Sequence, residues 1–235
     1  MSSSPPGALR RKPPRWSPTY TVRAPLAAWL RAEAERAARD FGRYRVLDVG
    51  CGVKPYRPFF ADHAREYVGV DTENPLADLT GTVEQLPVPD ASFDVVLCTQ
   101  VLEHASDPVQ AVRELRRVTA PGGRVLASTH GVYVYHPVPD DLWRWTHTGL
   151  ERLFRENADW RSVAVVPASG TTACLGMLAT HYLDLAAKRL HVRPVGRVIC
   201  WLVNTMAFAI DRRAPTLRAP RPGSLIANYH VVAEA

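Results

Sequence analysis

The stretch Val46-Leu47-Asp48-Val49-Gly50-Cys51-Gly52 joins a short run of branched apolar residues to two closely spaced glycines. The apolar run is too short for a helix and suits a strand that is covered on both faces of a sheet. The two glycines tolerate positive φ and, lacking a Cβ, let a ligand approach the backbone closely. Pro55 follows, and proline is favoured in the first turn of a helix. A strand, a glycine turn and a helix start predict a nucleotide-binding corner.

A second short strand over residues 66–71 ends in a carboxylate, Asp71. This acid lies about 20 residues beyond the glycines, the spacing at which a carboxylate reaches a ribose hydroxyl. A strand-end turn or a helix cap is the alternative role for Asp71, and the acid Asp48 on the first strand favours the ligand role. A dinucleotide fingerprint needs a third glycine at position 55, where the chain has Pro55, so a nicotinamide-dependent dehydrogenase matches poorly.

Four segments between residues 44 and 131 together resemble the class I S-adenosylmethionine-dependent methyltransferases of the small-molecule group. They are VLDVGCG (46–52), VGVD (68–71), VEQLPVPDASFDVVLCTQVLEHASDP (83–108) and LRRVTAPGGRVLAS (115–128). The resemblance implies an α/β fold, a doubly wound Rossmann-like sheet of seven mostly parallel strands with an antiparallel last strand. It also implies S-adenosyl-L-methionine as the cofactor.

The same resemblance implies which positions hold the cofactor. They are Asp48, Gly50, Cys51, Gly52, Asp71, Thr72, Thr82, Val83, Glu84, Thr99 and Gln100. Thr82 stands where many relatives carry an acid that accepts a hydrogen bond from the adenine amino group, and a hydroxyl accepts a weaker one. Lys54 stands where the commonest pattern has another glycine, which changes the contact at the cofactor's amino-acid end.

Three histidines are the candidate general bases: His104, His130 and His136. His104 follows a strand at the edge where ligands sit in doubly wound sheets, and a base near a hydroxyl acceptor would speed methyl transfer. Asp140 or Asp141 is the candidate carboxylate that orients a histidine ring. Orientation of a loop is the alternative role for His104. No metal site is expected.

Residues 129–146 hold histidines, tyrosines, prolines, an acid pair and two tryptophans at the end of a strand. This composition predicts a lid over the substrate, with a tightly packed cover as the alternative. The segment HPVPDDLWRWT (136–146) resembles a subgroup of these methyltransferases met in glycan, lipid-linked sugar or natural-product pathways.

The two flanks of the domain have different patterns. Residues 1–18 are rich in Pro, Ser and Arg and are expected to form a disordered tail, so the methyltransferase domain would span residues 19–235. Residues 25–41 repeat apolar side chains at helical spacing, which predicts an amphipathic helix. In the resembling family such a helix often closes the cofactor pocket. Residues 224–233 are expected to be the last strand.

Residues 171–213 are apolar and helical in pattern, and we expect a helical insertion packed on the domain and lining the acceptor site. The second apolar run, 198–210, has 13 residues, whereas a membrane-spanning helix needs about 20. Peripheral membrane contact, a homodimer surface and a wall over an apolar substrate are three interpretations of this segment.

The net charge of +6 is unevenly distributed along the chain. Residues 46–169 carry 11 Lys+Arg against 17 Asp+Glu, whereas residues 1–45 carry 10 against 3 and residues 170–235 carry 8 against 3. A nucleic-acid enzyme would carry positive charge around its cleft, so nucleic acid is disfavoured as a partner. The four widely spaced cysteines and the lack of an apolar leader predict a reducing, cytoplasmic location, with membrane-peripheral attachment as the alternative.

The resemblance implies displacement of a sulfonium methyl group by a nucleophilic atom of an acceptor. We favour the oxygen of a small-molecule, glycan or lipid-linked acceptor, namely a sugar, glycolipid or secondary metabolite. One rival hypothesis is an RNA or protein methyltransferase, suggested by the basic flanks. Another is a non-catalytic, donor-binding scaffold that meets its partner through residues 171–213.

Overall fold

The computed structural model describes residues 7–235 and contains one sheet of seven strands. The strands are β1 (Tyr44–Val49), β2 (Ala64–Asp71), β3 (Leu79–Thr80), β4 (Phe93–Thr99), β5 (Thr119–His130), β6 (Ser162–Pro167) and β7 (Asn228–Glu234). Their spatial order is β3-β2-β1-β4-β5-β7-β6. Strands β1 to β5 pair in parallel, and β7 is antiparallel to both neighbours, β5 and β6. The predicted mostly parallel sheet with an antiparallel last strand is confirmed.

Seven α-helices and one 3-10 helix connect these strands within residues 7–235. They are α1 (Ala8–Arg11), α2 (Tyr20–Phe41), α3 (Arg57–Phe60), α4 (Pro108–Val118), α5 (His147–Asn157), α6 (Thr171–Arg189), α7 (Arg193–Arg213) and the 3-10 helix Pro215–Arg218. Helix α2 begins one turn earlier than the predicted Pro25, which lies inside it. Burial of Thr21 and Val22 in that first turn stabilises it despite the N–H that proline lacks.

The sheet is covered by apolar side chains on both faces, as the sequence of β1 predicts. Leu47 and Val49 pack on one side with residues of α4 and α5, and Val46 packs on the other with residues of α2 and α3. All three side chains are no more than 1% exposed. Burial on both faces holds the carboxyl end of β1 rigidly below the glycine turn.

The N-terminal segment differs from the expected disorder over residues 7–18; residues 1–6 lie outside the described residues. The Nδ2 amide of Asn204 donates to the carbonyls of Arg15 (2.7 Å) and Ser17 (3.0 Å). Arg11 Nη1 donates to the carbonyl of Pro55 at 2.5 Å, and the Arg197 guanidinium stacks 4.6 Å from the Trp16 ring centre. These partners lie far away in the sequence, so the local composition did not reveal them.

The predicted insertion is a hairpin of α6 and α7 in which small residues let the two backbones approach closely. A Cβ added to Gly196 would lie 2.4 Å from the Cβ of Ala187. The carboxylate of Asp211 on α7 caps the start of α6, accepting the backbone N–H groups of Gly170 (2.9 Å), Thr172 (3.2 Å) and Ala173 (3.0 Å). The two helices therefore contact each other specifically both near the turn between them and at the opposite end of the hairpin.

Candidate active site

A cleft of about 450 Å³ opens at the carboxyl ends of β1, β2, β4 and β5. Strand β1 lies between β2 and β4, so the cleft occupies the point where the winding of the sheet reverses. Nine of the eleven predicted cofactor residues line it. They are Gly50, Gly52, Asp71, Thr72, Thr82, Val83, Glu84, Thr99 and Gln100.

The glycine turn after β1 needs both of its glycines. Gly50 has φ 64° and Gly52 has φ 50°, values that side chains with a Cβ rarely adopt. A Cβ on Gly50 would also lie 2.4 Å from Cγ2 of Val101. The N–H groups of Gly50 and Cys51 both donate to the carbonyl of Val70, at 2.9 and 3.1 Å, and so join the turn to β2.

Asp71 is the acid at the end of β2, and its carboxylate lines the cleft. One oxygen accepts the backbone N–H of Gly52 and the other that of Thr72, each at 2.8 Å. A carboxylate offers about four lone-pair sites, so Asp71 retains capacity for two further donors. The glycine turn and the acid, which were predicted to lie together, are therefore joined by a hydrogen bond from Gly52 to the carboxylate of Asp71.

Two predicted cofactor residues, Asp48 and Cys51, lie beneath the turn and do not line the cleft. Asp48 is 2% exposed and accepts the hydroxyl of Tyr67 at 2.6 Å. Burial raises the pKa of Asp48 to about 7 and the pKa of the Cys51 thiol to about 12. In this geometry they support the turn from below.

Lys54 adopts positive φ (50°) at the position where the resembling family more commonly has glycine. Its ammonium pairs with Asp78 Oδ2 at 2.7 Å, and Asp78 also accepts the N–H of Gly69 at 2.7 Å. This ion pair draws the lysine side chain across β2, away from the cleft that Gly52 lines.

The three candidate bases, His104, His130 and His136, all line the cleft. The Nδ1 atom of His104 contacts the backbone carbonyl oxygen of Asp140. A carbonyl only accepts, so in the neutral ring Nδ1 carries the proton and Nε2 holds a free lone pair. Within residues 7–235, Nε2 forms no hydrogen bond. His104 therefore has the tautomer of a general base.

The predicted orienting carboxylates do not orient a histidine ring. Asp140 contacts His104 through its main chain, not through its carboxylate. Asp141 is held by Arg144 in a two-point ion pair of 2.5 and 2.6 Å, which lowers the pKa of Asp141 to about 2. Its carboxylate also accepts the backbone N–H of His136 at 2.8 Å. Asp141 thereby shapes the loop that carries His136.

His130 sits in a buried polar cluster that the sequence did not predict. Its Nε2 lies 3.2 Å from Oε1 of Glu103, whose Oε2 accepts the hydroxyl of Thr129 at 2.8 Å. The Nδ2 amide of Asn228 lies 3.3 Å from His130 Nδ1, and the ring of Tyr133 stacks on His130 at 3.8 Å. Glu103 also lines the cleft.

Burial moves the pKa values of this pair in opposite directions. It raises the pKa of Glu103 to about 7 and lowers the pKa of His130 to about 3, with the positive charge of Arg144 also lowering the latter. His130 is therefore neutral near pH 7. A neutral, almost fully enclosed ring is better suited to holding Tyr133 in place than to removing a proton.

The lid predicted over residues 129–146 is tied down along its second half. The N–H groups of Leu142 (3.0 Å) and Trp143 (3.1 Å) both donate to the carbonyl of Glu103. The indole N–H of Trp143 donates to the carbonyl of Ala105 at 2.7 Å. By contrast, Tyr135 near the tip is 78% exposed. The segment combines a packed cover with an exposed tip.

Two arginines that were not predicted to lie at the cleft, Arg10 and Arg23, also line it. A Cβ on Gly52 would lie 4.0 Å from Arg10 Nη1. Burial, followed by the charge of Arg10, lowers the pKa of Arg23. Neither guanidinium makes a hydrogen bond or ion pair within residues 7–235. The two guanidinium groups are a candidate anion site in a cleft that the acids Asp71, Glu84, Glu103 and Asp140 also line.

The strand order, the antiparallel β7 and the glycine turn at the reversal point define the class I methyltransferase fold. Residues 47–127 match a family model described as a methyltransferase domain. A SAM dependent methyltransferase from Archaeoglobus fulgidus shares the fold, with a TM-score of 0.53 over 88% of this chain and 94% of that chain at 16% identity.

Two curated relatives agree with this class. A protein of Mycolicibacterium smegmatis described as a probable S-adenosylmethionine-dependent methyltransferase is 35% identical over 140 residues, 55% of this chain and 52% of the relative. A malonyl-[acyl-carrier protein] O-methyltransferase of Serratia marcescens is 32% identical over 96 residues, 36% of this chain and 38% of the relative. The chain thus spans about half the length of the first relative and less of the second.

Residues 47–127 therefore carry a methyltransferase domain, and the chain has the fold of the class I S-adenosylmethionine-dependent methyltransferases. The cofactor of this class is S-adenosyl-L-methionine, and the cleft residues fit it. Asp71 offers a carboxylate for vicinal hydroxyls, the glycine turn gives access to the backbone, and the unpaired guanidinium of Arg10 next to Gly52 suits a carboxylate.

Proposed function

We propose that this protein transfers a methyl group from S-adenosyl-L-methionine to an oxygen atom of a sugar, glycolipid or secondary metabolite. The observation that carries the proposal is the geometry of His104. Its Nδ1 is occupied by the carbonyl of Asp140, which leaves Nε2 free as a base at the wall of the donor cleft. A hydroxyl acceptor needs such a base, whereas an amine that is already deprotonated does not.

The donor site is assigned to the residues around the glycine turn. Asp71, Thr82 and Val83 line the cleft. Asp71 would accept hydrogen bonds from the ribose hydroxyls, and Thr82 and Val83 would contact the adenine ring. Arg10 binds the carboxylate of the donor's amino-acid end. The bound donor supplies an activated methyl group on a sulfonium. The protein's own contribution is alignment of the two reactants and exclusion of water.

His104 would take the proton of the acceptor hydroxyl as the bond from the methyl carbon to oxygen forms and the bond from that carbon to sulfur breaks, so that the sulfur leaves as a neutral thioether. The ring of His104 is held by the loop at Asp140, and that loop is shaped by the ion pair of Asp141 with Arg144. Glu103 and His130 act as positioning residues, because the carbonyl of Glu103 anchors the lid and His130 supports Tyr133. These contacts would keep the acceptor oxygen at bonding distance from Nε2.

The acceptor class is supported by the charges around the cleft. Arg23 lies in the same cleft as Arg10, so one guanidinium is available for the donor and one for an acidic or phosphate-bearing acceptor. The relative from Serratia marcescens is named an O-methyltransferase, which supports methyl transfer to oxygen. The cytoplasmic location and the homodimer stay predictions.

The proposal is tested with a donor-binding assay and a turnover assay on the same variants. Calorimetry should show binding of S-adenosyl-L-methionine to the wild type and loss of binding in Asp71→Ala. In a labelled-methyl screen of sugar, glycolipid and metabolite acceptors, His104→Ala should lower kcat by roughly 10²- to 10⁴-fold while donor affinity is kept. The absence of donor binding to the wild type would overturn the whole proposal.

A kcat of His104→Ala equal to that of the wild type would remove His104 as the base. Salt-dependent RNA binding, with methyl transfer to RNA, would favour the RNA methyltransferase hypothesis instead. Tight donor binding without turnover on any acceptor would favour the scaffold hypothesis.

A further inference from the structure

The α6–α7 hairpin presents a large apolar surface that the proposed methyl transfer does not use. Ten large apolar side chains on the two helices are between 39% and 73% exposed. They are Leu175, Tyr182 and Leu185 on α6 and Val195, Val198, Ile199, Trp201, Leu202, Met206 and Ile210 on α7. None of residues 171–213 lines the cleft, so the expectation that this insertion faces the acceptor site is not met.

Six of the seven exposed apolar residues of α7, all except Trp201, recur at three- and four-residue spacing and therefore share one side of the helix. The opposite side carries Gly196, Cys200, Asn204 and Ala207, which are buried against α6 or the N-terminal segment. The apolar stripe consequently points away from the body of the domain. An exposed apolar stripe of this extent is typical of an interaction surface.

Basic residues surround this surface almost without acidic partners. Residues 171–223 hold 8 Lys+Arg and 2 Asp+Glu. One of the two acids, Asp211, is buried at the start of α6, and the other, Asp184, pairs with Lys188 at 2.6 Å. Of the other seven basic residues, Arg189, Arg193, Arg212 and Arg213 lie at the ends of the two helices and form no ion pair within residues 7–235.

The combination of apolar side chains and unpaired positive charge indicates which kind of partner the hairpin surface binds. A second copy docking through the same face would bring the two sets of arginines together, and like charges at an interface are unfavourable. An anionic lipid surface satisfies both features, because its acyl region takes the apolar stripe and its headgroups take the arginines.

The length and composition of the helices specify the mode of attachment. Among residues 7–235, no helix is long and apolar enough to cross a membrane. Apolar residues confined to one side and cationic residues at the ends match a helix that lies in the plane of the headgroups. We propose that the α6–α7 hairpin docks this protein on an anionic lipid bilayer, with both helices parallel to the membrane surface.

Co-sedimentation of the full chain with lipid vesicles tests this proposal. Vesicles of equal parts phosphatidylglycerol and phosphatidylcholine should bind the protein at least tenfold more tightly than pure phosphatidylcholine. This expectation follows from roughly 1 kcal/mol of attraction for each Lys or Arg near an anionic surface. Raising the salt concentration should weaken the binding.

The double variant Leu202→Glu/Met206→Glu should lose at least tenfold in affinity for the anionic vesicles. Leu76→Glu, which changes a 54% exposed leucine outside the hairpin, is the matched control and should bind like the wild type. Equal thermal unfolding midpoints would show that both variants fold. Donor affinity, measured in parallel, should be unchanged, which separates failure of this proposal from failure of the proposed function.

Three results would overturn the proposal. The wild type fails to sediment with anionic vesicles, the double variant sediments as well as the wild type, or light scattering shows a dimer that the double variant dissociates. The last result would assign the surface to a second copy of the chain.

Discussion

Strand β1 and helix α7 are both apolar, yet they use their apolar residues in different ways. Every apolar side chain of β1 is at most 1% exposed, whereas seven apolar side chains of α7 are at least 39% exposed. The strand is enclosed by helices on both faces of the sheet, while α7 packs on its neighbours along one side only. Burial of the apolar side chains of β1 therefore stabilises the fold. The exposed apolar side chains of α7 instead form the surface that we propose to bind the membrane.

The largest difference should appear when one leucine in each element is truncated. Leu47→Ala in β1 should lower the free energy of unfolding by about 3 kcal/mol, because it leaves a cavity in a closely packed core. Leu202→Ala in α7 should change it by less than about 0.5 kcal/mol. Denaturant unfolding with both variants measures the contrast. An equal loss in the two variants would mean that the α7 face is buried in the unit that unfolds.

The inner side of α7 should behave like core, in contrast to its outer side. Asp211→Ala removes the acceptor for three backbone N–H groups at the start of α6 and should lower the free energy of unfolding by about 2 kcal/mol. Asp211→Asn keeps one carbonyl oxygen and should lose about half as much. Identical unfolding curves for Asp211→Ala and the wild type would contradict the capping role.

Burial in the donor half of the sheet should make stability depend on pH. The pKa of Asp48 is raised to about 7 by burial, so the folded state binds the proton more tightly than the unfolded state does. The stabilising contribution is therefore fully present below the unfolded pKa of about 4 and is lost as the pH rises through 7. Relative to Asp48→Asn, the wild type should become progressively less stable between these pH values.

This prediction is measured as a difference between two proteins. The buried histidines His130 and His230 titrate in both, so their opposite contributions cancel. Asn keeps an acceptor for the hydroxyl of Tyr67. A stability difference that does not vary with pH would show that Asp48 titrates alike in the folded and unfolded states.

The smallest effect should come from the anion site on the N-terminal side of the cleft. Arg23→Gln should raise the KM for an anionic acceptor by about tenfold with little change in kcat, because the guanidinium contributes to binding alone. Arg31→Gln is the matched control on the same helix, where the guanidinium stacks 4.7 Å from the ring centre of Phe59. Steady-state kinetics with the acceptor found in the methyl screen measure both variants.

A kcat effect without a KM effect for Arg23→Gln would place Arg23 at the reacting atoms instead. A rise in the KM of the donor alone would place its guanidinium, with that of Arg10, at the donor's carboxylate.

The donor half of the site could be predicted because its signals are local. The apolar run, the glycines and the acid at the end of the next strand occupy residues 46–71, and the structure brings them together at one turn. The Asp107-Pro108 pair is a local helix-start signal of the same kind, and the carboxylate of Asp107 accepts the N–H groups of Val109 and Gln110 at 3.0 Å. Each of these features depends on residues within one strand–turn–helix unit.

The histidine tautomers and the N-terminal segment could not be predicted in the same way. His104 acquires its proton arrangement from the carbonyl of Asp140, 36 residues later. The segment that carries Arg10 is held by Asn204, nearly 190 residues away in the sequence. The composition of residues 1–18 suggested disorder because it contains no trace of these distant partners.

The donor corner and the main strands and helices follow from the chain itself, since periodicity and turn chemistry act over a few residues, and the resemblance of the motifs implied the class of fold. Only the tertiary structure decides which side of α7 meets the protein, which carboxylate lies by His130, and which arginines enter the cleft. Those outcomes depend on packing between elements distant in sequence. Sequence patterns describe what an element can bury, and the fold selects the partner against which it is buried.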